Sequence, residues 1–203
     1  MRGGRFLGMA EHRLVEGQMT RLRPAAWGFS EEELRRRYRW SLDDVLQYWS
    51  GTIPGARTFA QFENTVRERD WPRDGKRVSY GILTKHNELV GMVSCYNLGA
   101  RDKSGELGVY LGEKQYWGQG LGTDAVITFL HHLFRELGLE AVYLHTYESN
   151  ERARRSYVRA GFQVTEKRRR FSPRVGYHEE VKMTITRRDF ERLHGSNAAA
   201  AAP

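Results

Sequence analysis

Residues 115–125 read QYWGQGLGTDA and are the most informative part of the chain. They follow a predicted strand and open a long amphipathic helix. Glycines at 118, 120 and 122 leave the backbone bare, so N–H groups can point at an anion. The start of a helix adds about half a positive charge to such a turn. The stretch therefore predicts a phosphate-binding turn, and a diphosphate is the natural ligand.

Three diphosphate-binding patterns compete here, beside a glycine-rich turn that binds nothing. A Walker A loop requires Gly-Lys-Ser/Thr after its glycines, which this stretch lacks. A dinucleotide fingerprint requires glycine where Thr123 stands, and the antiparallel hairpin predicted before this unit does not suit a doubly wound sheet. The third pattern, Gln-x-x-Gly-x-Gly, is filled by Gln115, Gly118 and Gly120. It resembles the pyrophosphate loop of GNAT-type acyl-CoA-dependent N-acetyltransferases.

A second motif strengthens this resemblance. Residues 150–162, NERARRSYVRAGF, are similar to the Asn-x-x-Ala-x-x-x-Tyr-x-x-x-Gly-Phe pattern of the same superfamily. Asn150 and Tyr157 stand seven residues apart, about 10 Å along one helix face, so that face can touch a long, thin ligand twice. The alternative is a capped helix whose Tyr157 packs in the core. The segments LVEGQMTRLRPA and GYHEEVKMTI further resemble the branch that acetylates ribosomal-protein N-termini and related amines.

The sequence around the motifs predicts alternating strands and helices. The predicted strands are 19–23, 78–84, 88–98, 106–111, 141–146 and a closing hairpin of 162–167 with 180–185. The first three predicted helices begin at Ser30, at Ser41 with Asp44 three residues on, and at Thr58. The second stops at Gly51, and the third runs to about Trp71. Two further helices span 121–137, with Gly138 as C-cap, and 150–161. This order indicates a mixed sheet with one parallel crossover.

The resemblance implies an α/β fold class, in detail an α+β arrangement called the GNAT fold. A central, mostly antiparallel sheet with one parallel, splayed strand pair is flanked by helices. We expect residues 1–18 to be an N-terminal extension, 19–193 the acetyltransferase domain, and 194–203 a low-complexity, disordered tail.

Composition narrows the class of protein. The 33 Lys and Arg outnumber the 25 Asp and Glu and give a net charge of +8, which suits nucleic acid, a membrane surface or a phosphorylated cofactor. The single cysteine, Cys95, excludes an intrachain disulfide and a cysteine-rich zinc site. No apolar run approaches the ~20 residues that span a bilayer, and no secretory signal is recognisable. We expect a soluble cytoplasmic protein without a metal; its oligomeric state, including a homodimer, stays open.

By resemblance, the cofactor is acetyl-CoA. The backbone of Val109, Tyr110 and Leu111 is expected to pair with its pantetheine arm, and a backbone N–H there can steady the thioester oxygen. The remaining cofactor-binding residues come from the two motifs: Gln115, Tyr116, Trp117, Gly118, Gln119, Gly120, Leu121, Gly122, Thr123, Asn150, Ala153 and Tyr157.

The implied reaction moves an acetyl group from a thioester to an amine by direct attack in a ternary complex. A lysine-like amine titrates near 10.4, so a base must take its proton. Glu106 is the candidate base, with a merely solvated glutamate as the equal alternative. Tyr157 is the candidate acid for the departing thiolate. Cys95 is interpreted as a packed core thiol and His145 as an ordinary strand histidine.

The acceptor is expected against the N-terminal helices. Trp40, Asp43 and Asp44 are the candidate substrate-binding residues, since acids beside aromatics suit a cationic amine. Surface acids and a core aromatic cluster are an equally good interpretation. A polyamine, an aminoglycoside, a peptide N-terminus and an amino-acid-like amine all stay open. A non-catalytic acyl-CoA-binding module is the alternative function, and a nucleic-acid-binding domain ranks last.

Overall fold

The computed structural model describes residues 13–50, 58–70, 75–99, 102–172 and 175–195. Its strands are β1 (Val15–Glu16), β2 (Thr20–Pro24), β3 (Arg77–Thr84), β4 (Leu89–Tyr96), β5 (Ser104–Leu111), β6 (Ala141–Tyr147), β7 (Gln163–Ser172) and β8 (Gly176–Thr186). Its helices are α1 (Glu31–Ser41), α2 (Asp44–Trp49), α3 (Phe59–Asp70), α4 (Leu121–Arg135), α5 (Glu151–Ala160) and α6 (Arg187–His194).

The described strands form one sheet in the order β1-β2-β3-β4-β5-β6-β8-β7. Adjacent strands in this sheet are antiparallel except for β5 and β6, which are parallel and are connected through α4. The predicted mixed, mostly antiparallel sheet with flanking helices is confirmed. Among the described helices, none is long and apolar enough to cross a membrane.

The parallel pair separates soon after it forms. β5 and β6 pair only from Ser104 opposite Ala141 to Glu106 opposite Tyr143. Beyond that point β5 continues along β4 to Leu111, while β6 continues along β8 to Tyr147. One half of each strand therefore faces an opening in the middle of the sheet instead of a hydrogen-bonded neighbour.

Helices cover both faces of the sheet. The apolar stripe of α4 is buried against one face, with Phe129, Leu130 and Leu133 fully enclosed. On the other face, Trp40 of α1 and Leu46 of α2 pack with Leu89 and Met92 in a second cluster. Burying each such side chain contributes about 1.5–3 kcal/mol, so both faces hold the opening in place.

Asp124 in the first turn of α4 ties this helix to the N-terminal strands. Its carboxylate accepts hydrogen bonds from the backbone N–H groups of Gln18, Met19 and Thr20 and from the Thr20 hydroxyl, at 2.6–3.1 Å. A carboxylate at a helix N-terminus is stabilising in itself. The start of α4 is thus fixed against β2.

The N-terminal helices match the predicted pattern in part. Ser30 caps α1 through the predicted capping box with Glu33. The cap of α2 is Asp43, which accepts from the N–H groups of Val45 and Leu46. The predicted cap at Ser41 was wrong, because Ser41 ends α1. The predicted stop at Gly51 and the predicted end at Trp71 lie outside the described residues.

Other boundaries shift for local reasons. Helix α4 ends at Arg135, two residues before its predicted end, because Gly138 adopts φ 67° and Leu139 N–H turns back to Leu133 O. The closing hairpin is much longer than predicted, and β8 lies between β6 and β7. The Lys and Arg residues of β7 are exposed on both faces of the strand, so no alternation of apolar and polar residues indicated how far the strand extends.

Two short elements of the structure were not predicted from the sequence. The short strand β1 pairs with β2 inside the stretch that was expected to be an extension. Helix α6 follows β8 and buries Phe190 against the core. Both elements are too short to show a clear hydrophobic period.

Candidate active site

A cleft of about 360 Å³ opens where β5 and β6 separate. The glycine turn, α5 and the end of α2 complete its walls. Predicted cofactor residues from β5, from the glycine turn and from α5 with its cap line this cleft. They are Val109, Tyr110, Leu111, Tyr116, Trp117, Gly118, Gly120, Gly122, Thr123, Asn150, Ala153 and Tyr157. Leu121 is buried below the turn, and the exposed Gln115 and Gln119 lie outside the lining.

The cleft edge of β5 presents unpaired backbone. Gly112 N–H donates to Val90 O on β4, so alternate residues of β5 turn their backbone groups toward β4. The intervening residues Val109 and Leu111 turn theirs toward the opening. Leu111 O confirms this direction, since it accepts from the Trp117 indole N–H at 2.9 Å. The edge can therefore add hydrogen bonds to an extended, amide-containing ligand.

The glycine turn has the backbone geometry expected of an anion site. Gly118 and Gly120 adopt φ values of 77° and 92°, which side-chain-bearing residues rarely adopt. The first helical hydrogen bond of α4 runs from Asp124 N–H to Gly120 O. The N–H groups of residues 121–123 precede it and have no partner within the helix. The positive end of α4 thus opens into the cleft.

Helix α5 forms the opposite wall. Asn150 caps it by accepting from Ala153 N–H at 3.3 Å, and Thr123 Oγ1 meets Ser156 Oγ at 2.9 Å across the two helices. Tyr157 lies deeper, and burial raises the pKa of its phenol to about 12. Within the described residues its hydroxyl has no hydrogen-bond partner, so it can donate to a ligand in the cleft.

Arg152 stacks over the glycine turn. Its guanidinium lies 3.5 Å from the centre of the Trp117 ring, and both residues line the cleft. Partial burial lowers the pKa of Arg152, which nevertheless stays charged at neutral pH. No carboxylate pairs with it in the described part of the chain. A positive fork with free donors therefore lies beside the bare N–H groups of the turn.

A hydrogen-bonded cluster lies at the point where β5 and β6 part. The Glu106 carboxylate accepts from Tyr96 Oη at 3.1 Å and from Asn97 Nδ2 at 3.0 Å, and it meets His145 Nδ1 at 3.0 Å. Burial raises the pKa of Tyr96, and the Glu106 charge raises it further, so this phenol stays protonated. Tyr96 and His145 line the cleft, whereas Glu106 does not.

The sequence interpretation missed the part played by two residues of this cluster. Tyr96 was not singled out, and His145 was interpreted as an ordinary strand histidine. The available signal was strand alternation: Glu106 on β5 and Tyr143, His145 and Tyr147 on β6 fall on one face of the sheet.

None of the three predicted acceptor residues lines the cleft. Trp40 is buried, donates its indole N–H to Glu113 at 3.0 Å and does not line the cleft. Asp43 caps α2 and pairs with Lys114 at 2.6 Å, which lowers the pKa of Asp43. Asp44 is exposed on α2. The aromatic residue of the N-terminal helices that does line the cleft is Trp49, at the end of α2.

Cys95 is enclosed below the cleft, and burial raises the pKa of its thiol far above neutrality. A buried thiol that stays protonated is a poor nucleophile, which agrees with direct attack. Over the described ranges, no group of three or more His, Cys, Asp or Glu side chains could hold a metal ion.

The cleft residues fit a CoA thioester. Free N–H groups and Arg152 suit the phosphates, and the β5 edge suits the amides of the pantetheine arm. The Tyr157 hydroxyl adds an uncharged donor to the cleft lining. The net positive charge of the chain favours the same anionic ligand.

Comparison with known proteins agrees with this geometry. Residues 21–163 match the family described as Acetyltransferase (GNAT) domain. The protein YdaF of Bacillus subtilis (strain 168), a candidate ribosomal N-acetyltransferase, is 29% identical over 136 residues, which cover 63% of this chain and 73% of YdaF.

Solved structures share the fold. Mycobacterium smegmatis RimJ in complex with CoA-disulfide superposes with a TM-score of 0.76 at 17% identity, over 93% of this chain and 96% of RimJ. The spermidine N-acetyltransferase from Vibrio cholerae, in complex with CoA and spermine, gives 0.73 at 17% identity, over 85% and 98%. The family match spans most of the sheet and both motifs. The chain therefore belongs to the GNAT family and is an acetyltransferase whose cofactor is acetyl-CoA.

Proposed function

We propose that this protein is an N-acetyltransferase that acetylates a primary amine by direct attack in a ternary complex. The acceptor is a protein N-terminus or a small cationic amine. One observation carries the proposal: the same cleft is lined by the glycine turn and by His145, whose Nδ1 is hydrogen-bonded to Glu106 behind it. The unpaired Cys95 supports a cytoplasmic location, where thiols stay reduced.

The roles of the chain's own groups follow from their positions. When bound, acetyl-CoA supplies an acetyl group activated as a thioester. The N–H groups of Val109 and Leu111 hold the extended arm and steady negative charge on the carbonyl oxygen. Tyr157 holds a proton at its hydroxyl and delivers it to the sulfur, a role that its raised pKa leaves available at neutral pH.

The acceptor class rests on the other end of the cleft. A carboxylate at Glu106 favours a cationic or amine-bearing ligand, and the ring of Trp49 can meet such a ligand face on. Related proteins point to both kinds of acceptor: YdaF is a candidate ribosomal acetyltransferase, and the Vibrio cholerae enzyme holds spermine. Asp43 and Asp44 remain proposed contributors at the outer rim, and a homodimer remains a proposal.

Acetyl-CoA with a panel of amines tests this function by thiol release. The panel contains spermidine, an aminoglycoside and peptides with free N-terminal Ala or Ser, each peptide matched by an N-terminally acetylated control. We expect turnover on at least one free amine and none on the blocked peptides. Heat of CoA binding in calorimetry without turnover on any amine would make the protein a binding module instead.

Arg152→Ala tests the proposed phosphate end. Losing one charge-assisted hydrogen bond of about 1.5–3 kcal/mol should raise the Kd for CoA at least about 10-fold. The affinity for dephospho-CoA, which keeps the diphosphate, should fall by the same factor. The affinity for pantetheine, which lacks the diphosphate, should not change. Arg192→Ala, an exposed α6 residue with the same charge, is the matched control. An unchanged Kd for CoA in Arg152→Ala would exclude a phosphate contact.

A further inference from the structure

We infer that His145, oriented by Glu106, is the general base that takes the proton from the acceptor amine. This inference rests on the proposed function and names the catalytic group within that same site. It replaces direct proton abstraction by Glu106 with a histidine–carboxylate pair, in which Glu106 is a positioning residue.

The contact between the two side chains sets the histidine tautomer. His145 Nδ1 lies 3.0 Å from Glu106 Oε1, and an ionised carboxylate can only accept a hydrogen bond. Nδ1 must therefore carry the hydrogen. In neutral imidazole this leaves the lone pair on Nε2, the nitrogen directed away from the carboxylate. A base whose second nitrogen is held by a carboxylate is the arrangement that activates acyl-transfer sites.

Glu106 is poorly placed to act as the base itself. Its two oxygens already receive Tyr96, Asn97 and His145, and each of these donors stabilises the charged carboxylate. Only 15% of its side-chain surface is exposed, against 33% for His145. His145 lines the cleft and Glu106 does not, so the imidazole is the group that an acceptor amine can reach.

Neighbouring side chains also hold the His145 ring in place. Tyr143 on the same strand contacts the imidazole edge to face, with ring centres 5.7 Å apart. Lys182 of β8 pairs in register with His145, but its ammonium lies over the Tyr143 ring at 4.5 Å. Among the described residues, the titratable or charged groups that contact His145 or pair with it in register are Glu106, Tyr143 and Lys182. Tyr96 is bonded to Glu106, and Glu106 is bonded to the imidazole.

The step balances in atoms and charge. After the ammonium form of the acceptor has lost one proton to water, the neutral amine nitrogen forms a bond to the carbonyl carbon, and the carbon–sulfur bond breaks with its electron pair on sulfur. One proton leaves the nitrogen for His145 Nε2, while another passes from the Tyr157 hydroxyl to the sulfur. The products are the amide and the free thiol, and exchange with water restores both side chains.

His145→Ala and His145→Asn test the inference on the amine that the wild-type protein acetylates best. Asn keeps an N–H donor for Glu106 but cannot accept a proton. Both variants should lose about 100-fold in kcat, the contribution typical of a general base, and should keep the wild-type Kd for CoA. Imidazole added to His145→Ala should restore much of the lost rate, because the vacated space admits a free base.

Two comparisons complete the test. Glu106→Gln keeps an oxygen that can accept from Nδ1–H, so we expect a smaller loss, about 10-fold. His178→Ala on the neighbouring strand removes a histidine outside the cleft lining. Its kcat should equal that of the wild-type protein and should not change when imidazole is added. If the wild-type protein acetylates an amine and His145→Ala does so with nearly the same kcat, the inference is overturned while the proposed function stands. A Glu106→Gln loss larger than that of His145→Ala, without imidazole rescue, would return the role of base to Glu106.

Discussion

Gly120→Val is expected to raise the Kd for CoA about 1,000-fold, measured by calorimetry. Gly120 adopts φ 92° at the start of α4, where its N–H and those that follow open into the cleft. A β-branched residue relaxes out of this conformation, and restoring it costs about 1–3 kcal/mol. The displaced turn also loses a charge-assisted hydrogen bond of about 1.5–3 kcal/mol, and the sum of about 4 kcal/mol corresponds to this fold-change.

Gly138→Val is the matched control for this effect. Gly138 also has positive φ, at 67°, but it follows the far end of α4, and a Cβ there would meet no atom within 4 Å. It should lose stability through the same backbone strain and keep its affinity for CoA. Equal CoA affinity in folded Gly120→Val and wild-type protein would mean that the turn does not hold the cofactor.

Tyr157→Phe is expected to lower kcat about 1,000-fold with little change in the Kd for CoA. The ring stays packed in the core, and only the hydroxyl that would protonate the sulfur is removed. We expect this loss to exceed that at His145, because Tyr157 is buried and water cannot readily replace its proton, whereas His145 is partly exposed. Single-turnover kinetics on a good acceptor would separate the chemical step from product release.

Tyr80→Phe is the comparison for Tyr157. Tyr80 is another buried tyrosine, and its hydroxyl bonds to His132 Nε2 at 2.9 Å on the α4 face of the sheet, away from the cleft lining. We expect a lower thermal stability of the Tyr80 variant and an unchanged kcat. If Tyr157→Phe retained the wild-type rate in single turnovers, the acid would have to be another group or water.

Much of the local geometry at the proposed cofactor end could be predicted because its information is local. The glycines at 118 and 120, the cap at Asn150 and the spacing to Tyr157 all lie within single turns or helices. Backbone freedom, capping and helical period act over a few residues, so a short pattern carries them. The same locality predicted α4 and its C-terminal glycine.

The acceptor end could not be predicted in the same way. Asp43 and Trp40 had the right chemistry, but side-chain packing gives Trp40 to the core and Asp43 to a helix cap and Lys114. Composition and local spacing do not show which face of a short helix turns inward. That choice depends on the shape of the sheet beneath it.

The fold class, the family and the glycine-rich turn could be predicted from the sequence, since these depend on residues close together in the chain. Three features depend on contacts between distant segments and required the three-dimensional structure: β8 lies between β6 and β7, Arg152 stacks on Trp117, and His145 contacts Glu106. Glu106 and His145 are 39 positions apart, and their contact requires the register of one short parallel pairing. A register shift of one residue would turn either side chain to the opposite face of the sheet.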